Sequence, residues 1–252
     1  METKDSGKIE SLISEKDIPY AKRWHPKAIS IFESELTSGD FYGMNRELRK
    51  NIAYSLQYLQ YLQLQLEELN LHSVIEKQLQ KTYIITALSI IEGIFSHLVK
   101  SKGQQKTSDW DVCTPIHTNI LKNDGVEKKY VITEYHKLKT PKEEKMDFEY
   151  LITKVQEKKL LEIDYRAFGY LKKLKKIRNK VHLQVSRFEN DTDYLGIERY
   201  DYLLTRYLLY GIFHSKSFGL PKITAFNFIY PNKEELEELK EYTKRNREKN
   251  SD

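Results

Sequence analysis

The segment Lys176–Gln184 (KIRNKVHLQ) places an arginine, an asparagine and a histidine within a few positions of one another. A guanidinium can hold a phosphate through two parallel hydrogen bonds and stabilise the charge that develops on it. A histidine with a pKa near its usual value of about 6.5 can take a proton from a ribose 2′-hydroxyl or give one to a leaving oxygen. Arg178, Asn179 and His182 are therefore candidate catalytic residues for RNA cleavage, with Asn179 orienting either of the other two or hydrogen-bonding a phosphate oxygen.

This chemistry uses the 2′-hydroxyl of the RNA as nucleophile and requires no metal ion or other cofactor. The seven histidines are scattered, and no two of them have the four-residue spacing of helical zinc sites. Asp124, Glu143 and Lys145 match the Asp…Glu-x-Lys pattern of a metal-dependent nuclease. However, Glu143 and Lys145 lie in a charged stretch beside Pro141 instead of on an apolar strand. We predict no metal site.

Helical spacing would place Arg178 and His182 one turn apart on the same face. Ile177 and Val181 directly precede them and would lie on the core side, which leaves the pair at the margin between core and solvent. The alternative interpretation is a solvated helix face on which an arginine and a histidine fall four residues apart by chance.

The same segment is strongly basic. From Lys154 to His182 there are ten lysines and arginines and three acids, a net charge of 10 − 3 = +7, whereas the whole chain of 252 residues has +5. A local positive field beside a histidine suits a phosphate-bearing partner. The candidate RNA-binding side chains are Lys172, Lys173, Lys175, Lys176 and Lys180. Phosphate binding without catalysis remains open.

Apolar periodicity predicts the elements that position these residues. Leucines and isoleucines spaced by three or four residues predict a helix over 44–70, and further helices are predicted over 73–102, 146–161, from Asp164 through the basic segment, over 195–214 and from Asn232. Ser73 with Glu76, and Asn232 with Glu235, predict capped helix starts, and Gly103 a left-handed helix end. Residues 104–145 lose helical periodicity and predict a connection, with an extended edge at Tyr130–Thr133.

The predicted fold class is all-α: a helical bundle with a long, partly irregular insertion (104–145) between its second and third main helices. Residues 1–43 are predicted as an N-terminal extension, 44–214 as the helical domain, and 215–252 as an irregular segment followed by a charged helix and tail. The scarcity of glycine (10) and proline (6) agrees with a helical chain.

Composition predicts a soluble, cytoplasmic protein. A single cysteine, Cys113, permits no intrachain disulfide, and the N-terminus has no apolar signal core. The most apolar stretch, Tyr83–Val99, contains Glu92 and His97 and is interpreted as a core helix instead of a membrane span.

The segment Ile177–His182 and the helices around it resemble the HEPN superfamily (higher-eukaryote and prokaryote nucleotide-binding domains). Its signature is an arginine, often followed by asparagine, and then a histidine a few residues later. The apolar helix Ala87–Leu98 with its single acid, Glu92, and the later helix YDYLLTRYLLYGIF also match the family's pattern. The resemblance covers roughly residues 44–214. Three residues separate Arg178 from His182, fewer than the four to six of the usual signature.

The resemblance implies a compact helical bundle, a homodimer in which two motifs line one cleft, and metal-independent ribonuclease activity in phage defence or a toxin–antitoxin system. RNA and an antitoxin or other defence-system protein would be the partners. By resemblance, Arg178 contacts the phosphate, His182 acts as acid and base, and Asn179 supports them. Glu92, a lone acid on an apolar helix, needs a partner such as Arg178, unless it lies at the helix edge in water.

Other interpretations remain. The chain could be a non-catalytic helical module that binds RNA or protein, using the leucine-rich helix 44–70 to pair with another subunit. A third interpretation is a nucleotide-binding regulator, but the sequence has no glycine-rich phosphate loop to support it. In Asp109–Trp110–Asp111 we expect a buried tryptophan that anchors the insertion, or two acids that grip a cation or a partner.

Overall fold

Helix α3 (Ser73–Ser101) lies at the centre of the molecule, in a computed structural model that describes residues 24–117, 121–123, 126–128, 131–179, 196–219 and 224–248. The other α-helices of the described residues are α1 (Ile29–Glu35), α2 (Arg46–Glu68), α4 (Phe148–Glu157), α5 (Tyr165–Asn179), α6 (Arg199–Phe213) and α7 (Lys233–Glu248). Helices α2, α4, α5 and α6 all pack directly on α3. The prediction of a mainly helical protein is confirmed.

The central helix is apolar because it is surrounded on most sides. Residues from Tyr83 to Val99 supply most of its buried side chains. By length and composition α3 could cross a membrane, which our interpretation of the sequence had discounted, but 61% of its most apolar window is buried inside the protein. A core helix of a soluble protein has the same properties, so α3 serves here as the central element of the bundle.

Several helices begin at side-chain caps, and one predicted cap is wrong. Helix α3 begins after His72, whose Nδ1 accepts a hydrogen bond from the Val74 amide, so Ser73 is the first helical residue and not the cap. The predicted cap of α7 is confirmed, because Asn232 Oδ1 accepts from the Glu235 amide at 2.9 Å and Glu235 Oε2 accepts from the Asn232 amide at 2.9 Å. Gly103 has φ +64°, as predicted for a left-handed helix end.

One hydrophobic core joins both ends of the described chain. It includes Phe32 near the start and Leu239 in α7, together with residues of every helix between them. Phe41 stacks on Phe218 with ring centroids 3.7 Å apart, and Phe213 stacks on Phe226 at 4.1 Å. Segments flanking 44–214 therefore contribute to the same core as the helices within it.

The insertion forms a long two-stranded ribbon, more regular than the partly irregular connection that the sequence predicts, and residues 131–133 of the predicted extended edge lie in one of its strands. Strand β1 (Thr107–His117) pairs with β4 (Val131–Glu143) in antiparallel register, and β2 (Leu121–Asn123) pairs with β3 (Val126–Lys128). Register shifts interrupt the β1–β4 ladder after Ser108 and after Val112. Residues of β1 pair with residues of β4 that are up to 36 positions away in sequence. Local periodicity does not reveal such a pairing.

The ribbon carries an exposed apolar patch. Trp110 and Val112 lie two positions apart on β1, and Tyr135 is the cross-strand partner of Val112, so the three side chains share one face. They are 52%, 56% and 54% exposed. The expectation of a buried, anchoring tryptophan is therefore wrong.

Removing the ribbon is expected to leave the bundle folded. Strands β1 and β4 pack chiefly on each other, and the pair Thr107–Glu143 closes the ribbon beside the end of α3. An Asn-Gly turn that replaces 108–142 can join those paired ends. The melting temperature should then stay within about 3 °C of the wild-type value, because few contacts with the helices are lost.

A core substitution is the matched control for that experiment. Leu98→Ala, at a fully buried position of α3, should cost about 2–5 kcal/mol of unfolding free energy. If deletion of the ribbon lowered the melting temperature as much as Leu98→Ala does, the ribbon would be an integral part of the bundle.

Candidate functional site

Arg178 and Glu92 form the centre of the candidate site. Arg178, in the last turn of α5, donates from Nη2 to Glu92 Oε2 of α3 at 2.5 Å. The two side chains are 27% and 26% exposed, so the pair lies at the margin of the core. The expectation that Glu92 has Arg178 as its partner agrees with this geometry, and the pair also remains open to solvent.

Three helices fix the position of the Arg178 guanidinium. Helices α3, α4 and α5 pack mutually, and Phe148 at the start of α4 lies below the guanidinium, 5.5 Å from its carbon to the ring centroid. Phe148 is buried, and so is Ile177, which directly precedes Arg178 in the sequence and was predicted to lie on the core side. A planar cation between a carboxylate and an aromatic face has its orientation set by both.

The start of α5, predicted at Asp164, is fixed by a side-chain cap. Asp164 accepts a hydrogen bond from the Arg166 amide at 2.9 Å and a bidentate one from the Arg166 guanidinium. The hydrogen bonds from Arg166 lower the pKa of Asp164 to about 2. From this cap the apolar positions Phe168, Leu171 and Leu174 turn inward, and the lysines between them face outward.

Carboxylates of neighbouring helices compensate most of the positive charge of α5. Glu149 of α4 pairs with Lys175 at 2.5 Å and with Lys172 at 3.9 Å. Asp201 of α6 pairs with Lys173 at 3.4 Å. The positive field at α5 is therefore weaker than the count along the sequence indicates. Lys176 is exposed, and none of the carboxylates that the structure describes pairs with it.

Asp201 is an acidic side chain in the core, only 3% exposed. Burial raises its pKa, while the hydrogen bond that it accepts from the Glu198 amide and the nearby Lys173 oppose that rise. The Lys173 ammonium also lies 5.5 Å from the ring centroid of Tyr200. Lys173 thus connects α5 to α6 and has a structural use as well as a candidate role with phosphate.

The structure brings some of the predicted site residues together and leaves others undescribed. Glu92, Arg178 and the lysines 172, 173, 175 and 176 all lie on or against the second half of α5. Asn179 is exposed at the end of that helix. His182 and Lys180 lie outside the described residues, so the distance from Arg178 to His182 is not part of this geometry.

The other motifs of the sequence lie apart from this centre. Asp111 pairs with Lys142 across the ribbon at 3.3 Å, and Glu143 pairs with Lys100 of α3 at 3.4 Å. Cys113 is exposed on β1. Among the residues that the structure describes, no three His, Cys, Asp or Glu side chains converge as metal ligands would.

Phe148, Glu149 and Asp201 are site residues that reasoning from the sequence missed. They lie about 20 to 30 positions from their partners on α5, and only the packing of α4 and α6 brings them there. Asp147 caps the start of α4, because its side chain accepts a hydrogen bond from the Tyr150 amide at 2.8 Å. An aspartate at this position is the one local signal in the sequence that could place Phe148 and Glu149 in the first turn of a helix.

Comparison of the chain with protein-family models, with curated proteins and with solved structures gives no match.

Proposed function

We propose that the protein is a metal-independent endoribonuclease of the HEPN type, with Arg178, Asn179 and His182 at its cleavage site. The observation that carries the proposal is the guanidinium of Arg178, held at the solvent margin by Glu92 and Phe148, four positions before His182 in the sequence. A cation fixed in this way is preorganised for a phosphate, which is the condition for stabilising charge in the transition state.

The reaction follows from the groups present. The ribose 2′-oxygen attacks the adjacent phosphorus, the bond from phosphorus to O5′ breaks, and a 2′,3′-cyclic phosphate and a free 5′-hydroxyl result. A base takes the 2′-proton and an acid protonates O5′. One His182 can serve one of these roles at a time, so the proposed homodimer supplies a second His182 for the other. Arg178 stabilises the charge on the phosphoryl oxygens.

The cellular location and biological role in this proposal rest on the family resemblance alone. It places the protein in the cytoplasm, in phage defence or a toxin–antitoxin system, with RNA as substrate and an antitoxin or other defence-system protein as a further partner. The burial of α3 within the bundle is compatible with a soluble protein.

A second candidate function is a non-catalytic RNA- or protein-binding module. The observation that favours it is that Arg178 and three of the basic-helix lysines already hold carboxylates. In that case α5 contributes weak electrostatic affinity for RNA and no chemistry.

Incubation of the purified protein with end-labelled RNA in EDTA tests the proposal. We expect the wild-type protein to cut the RNA and to leave 2′,3′-cyclic phosphate ends, because no step needs a metal ion. His182→Ala should lose the cleavage, since general acid–base catalysis contributes about 100- to 10,000-fold.

His182→Ala that still cuts RNA would remove His182 from the assigned site. No cleavage by either protein, together with equal and salt-sensitive RNA binding by both, would favour the binding module.

A further inference from the structure

A tyrosine-lined groove runs between α5, α6 and α7, away from Arg178. Its first hollow, of about 500 Å³, has an apolar floor that includes Leu204 and Leu239, with Tyr170 and Tyr207 at its sides. A second hollow, of about 590 Å³, continues past Tyr207 to Tyr210 and Tyr230. Tyr207 and Leu208 line both hollows, so the two form one continuous groove.

The groove presents aromatic faces to solvent. Tyr207 is 47% exposed and Tyr230 is 41% exposed, with ring centroids 6.5 Å apart. Behind them Tyr210 stacks on His214 at 3.7 Å and lies 4.5 Å from Tyr230, so the rings support one another. Rigid, half-exposed rings of this kind are the platforms on which unpaired nucleobases stack.

Unpaired cations lie on both sides of Tyr207. Lys244 lines the first hollow and Lys216 lines the second. No carboxylate within the described part of the chain pairs with either of them, whereas Arg166 and Lys240 at the rim hold Asp164 and Glu237. A base that stacked on Tyr207 would thus have a free ammonium near the phosphate on each side.

The outer face of α7 limits where an anion can bind. That face carries a row of acids, namely Glu234, Glu237, Glu238 and Glu241. Three of these acids already hold cations, Glu237 with Lys240, Glu238 with Arg199 and Glu241 with Arg245, so this face offers few free cations to a phosphate backbone. The groove on the inner face of α7, with its unpaired Lys244, is therefore the side of this helix that favours an RNA strand.

We propose that this groove binds a single-stranded segment of RNA by stacking at least one unpaired base on Tyr207, with the adjoining phosphates on Lys216 and Lys244. The inference rests on the proposed ribonuclease function and extends it, because the segment would flank the bond that is cut. A third hollow shares Arg166 and Tyr170 with the first and leads to Lys172 and Lys173 on α5. Along α5, Ala167 and Arg178 are about 16 Å apart, a distance that a few nucleotides can span.

Binding is measured with a fluorescent single-stranded 2′-O-methyl RNA, which lacks the nucleophile and therefore cannot be cut by the proposed mechanism. Tyr207→Ala should weaken binding about 5- to 150-fold, since stacking on one aromatic ring is lost. Tyr207→Phe keeps the ring and should bind as the wild type does. Tyr54→Ala is the matched control, because Tyr54 is 50% exposed on α2 and lies outside the groove.

The salt dependence separates stacking from charge. Lys216→Ala and Lys244→Ala should each lower the slope of log affinity against log salt by about 0.7, the value for one phosphate of a single strand. Tyr207→Ala should leave that slope unchanged. All these side chains are at least partly exposed, so the variants should melt as the wild type does, and melting curves check this.

The outcomes distinguish the groove from the ribonuclease. Cleavage of unmodified RNA by the wild type, together with full binding by Tyr207→Ala, would overturn the groove and leave the ribonuclease standing. Binding that depends on Tyr207 without any cleavage would support the groove and remove the ribonuclease. Duplex RNA bound as tightly as single-stranded RNA would also overturn the groove, because paired bases cannot stack on Tyr207.

Discussion

Arg178→Ala is expected to lower metal-independent RNA cleavage at least 100-fold. Removing one preorganised donor to developing charge typically costs a factor of about 100 to 1,000 in turnover. The change should appear in kcat more than in KM, because the guanidinium meets the charge that builds in the transition state. Single-turnover cleavage of a short labelled RNA measures the effect.

Structural damage must be separated from loss of chemistry in that variant. Without Arg178, the Glu92 carboxylate is left half-buried and unpaired, which should cost about 1–3 kcal/mol of unfolding free energy. Glu92→Gln removes the charge and most of this cost. The double variant Arg178→Ala/Glu92→Gln should therefore melt close to the wild type and yet remain inactive.

Arg178→Lys gives the complementary comparison. It keeps a positive charge beside Glu92, but it loses the planar fork that binds phosphate bidentately and that lies over Phe148. We expect normal melting and loss of most of the cleavage. Recovery of wild-type cleavage in the double variant Arg178→Ala/Glu92→Gln would instead mean that Arg178 only balances the charge of Glu92.

The helices of this protein could be predicted because their information is local. In α2, Ile52, Leu56, Leu59 and Leu62 are buried as their spacing predicts, since residues three and four apart share one face. The cap of α7 was also predictable, because Asn232 and Glu235 bond to each other's backbone within a single turn. At the start of α3 two neighbouring residues compete for the cap position, and composition alone does not separate His72 from Ser73.

The ribbon was not predictable in the same way. Its strands are polar, and their pairing joins residues as far apart as Thr107 and Glu143. Trp110 was expected to be buried because tryptophan has a large apolar surface, yet a two-stranded ribbon has no second layer to cover it.

The candidate site also has a part that was predictable from the sequence and a part that was not. The pair of Glu92 and Arg178 was foreseeable, since an acid on an apolar helix needs a cation and Arg178 lies on a helix with a matching apolar face. The compensation of Lys172, Lys173 and Lys175 was not, because Glu149 and Asp201 reach them only through the packing of α4 and α6. A count of charges along a helix therefore overstates the field that the folded surface presents.

Among substitutions of the buried polar residues, Arg206→Met is expected to cause the largest loss of unfolding free energy. Arg206 is 1% exposed on α6 and donates to both carboxylate oxygens of Glu235, at 2.7 and 2.9 Å. It also donates to the carbonyl oxygens of Phe228, Ile229 and Tyr230. One guanidinium thus fixes the turn before α7 and the first turn of α7 itself.

Removing one partner of a buried ion pair costs about 3–5 kcal/mol, because the remaining charge is left without compensation. For a chain of this size such a loss lowers the melting temperature by about 6–20 °C. Thermal denaturation followed by circular dichroism measures it. Arg245→Ala is the matched control, since Arg245 forms an exposed pair with Glu241 and should change the unfolding free energy by less than about 0.5 kcal/mol.

A double variant tests whether the charge or the backbone contacts account for the loss. Arg206→Met/Glu235→Leu removes both charges and should recover part of the stability, as apolar replacements of buried ion pairs often do. Full recovery is not expected, because the three carbonyl oxygens of the turn still lose their donor and the Asn232 amide loses its acceptor, Glu235 Oε2. If Arg206→Met melted within about 2 °C of the wild type, the turn would be held by its aromatic packing alone, chiefly that of Phe226 against Phe213.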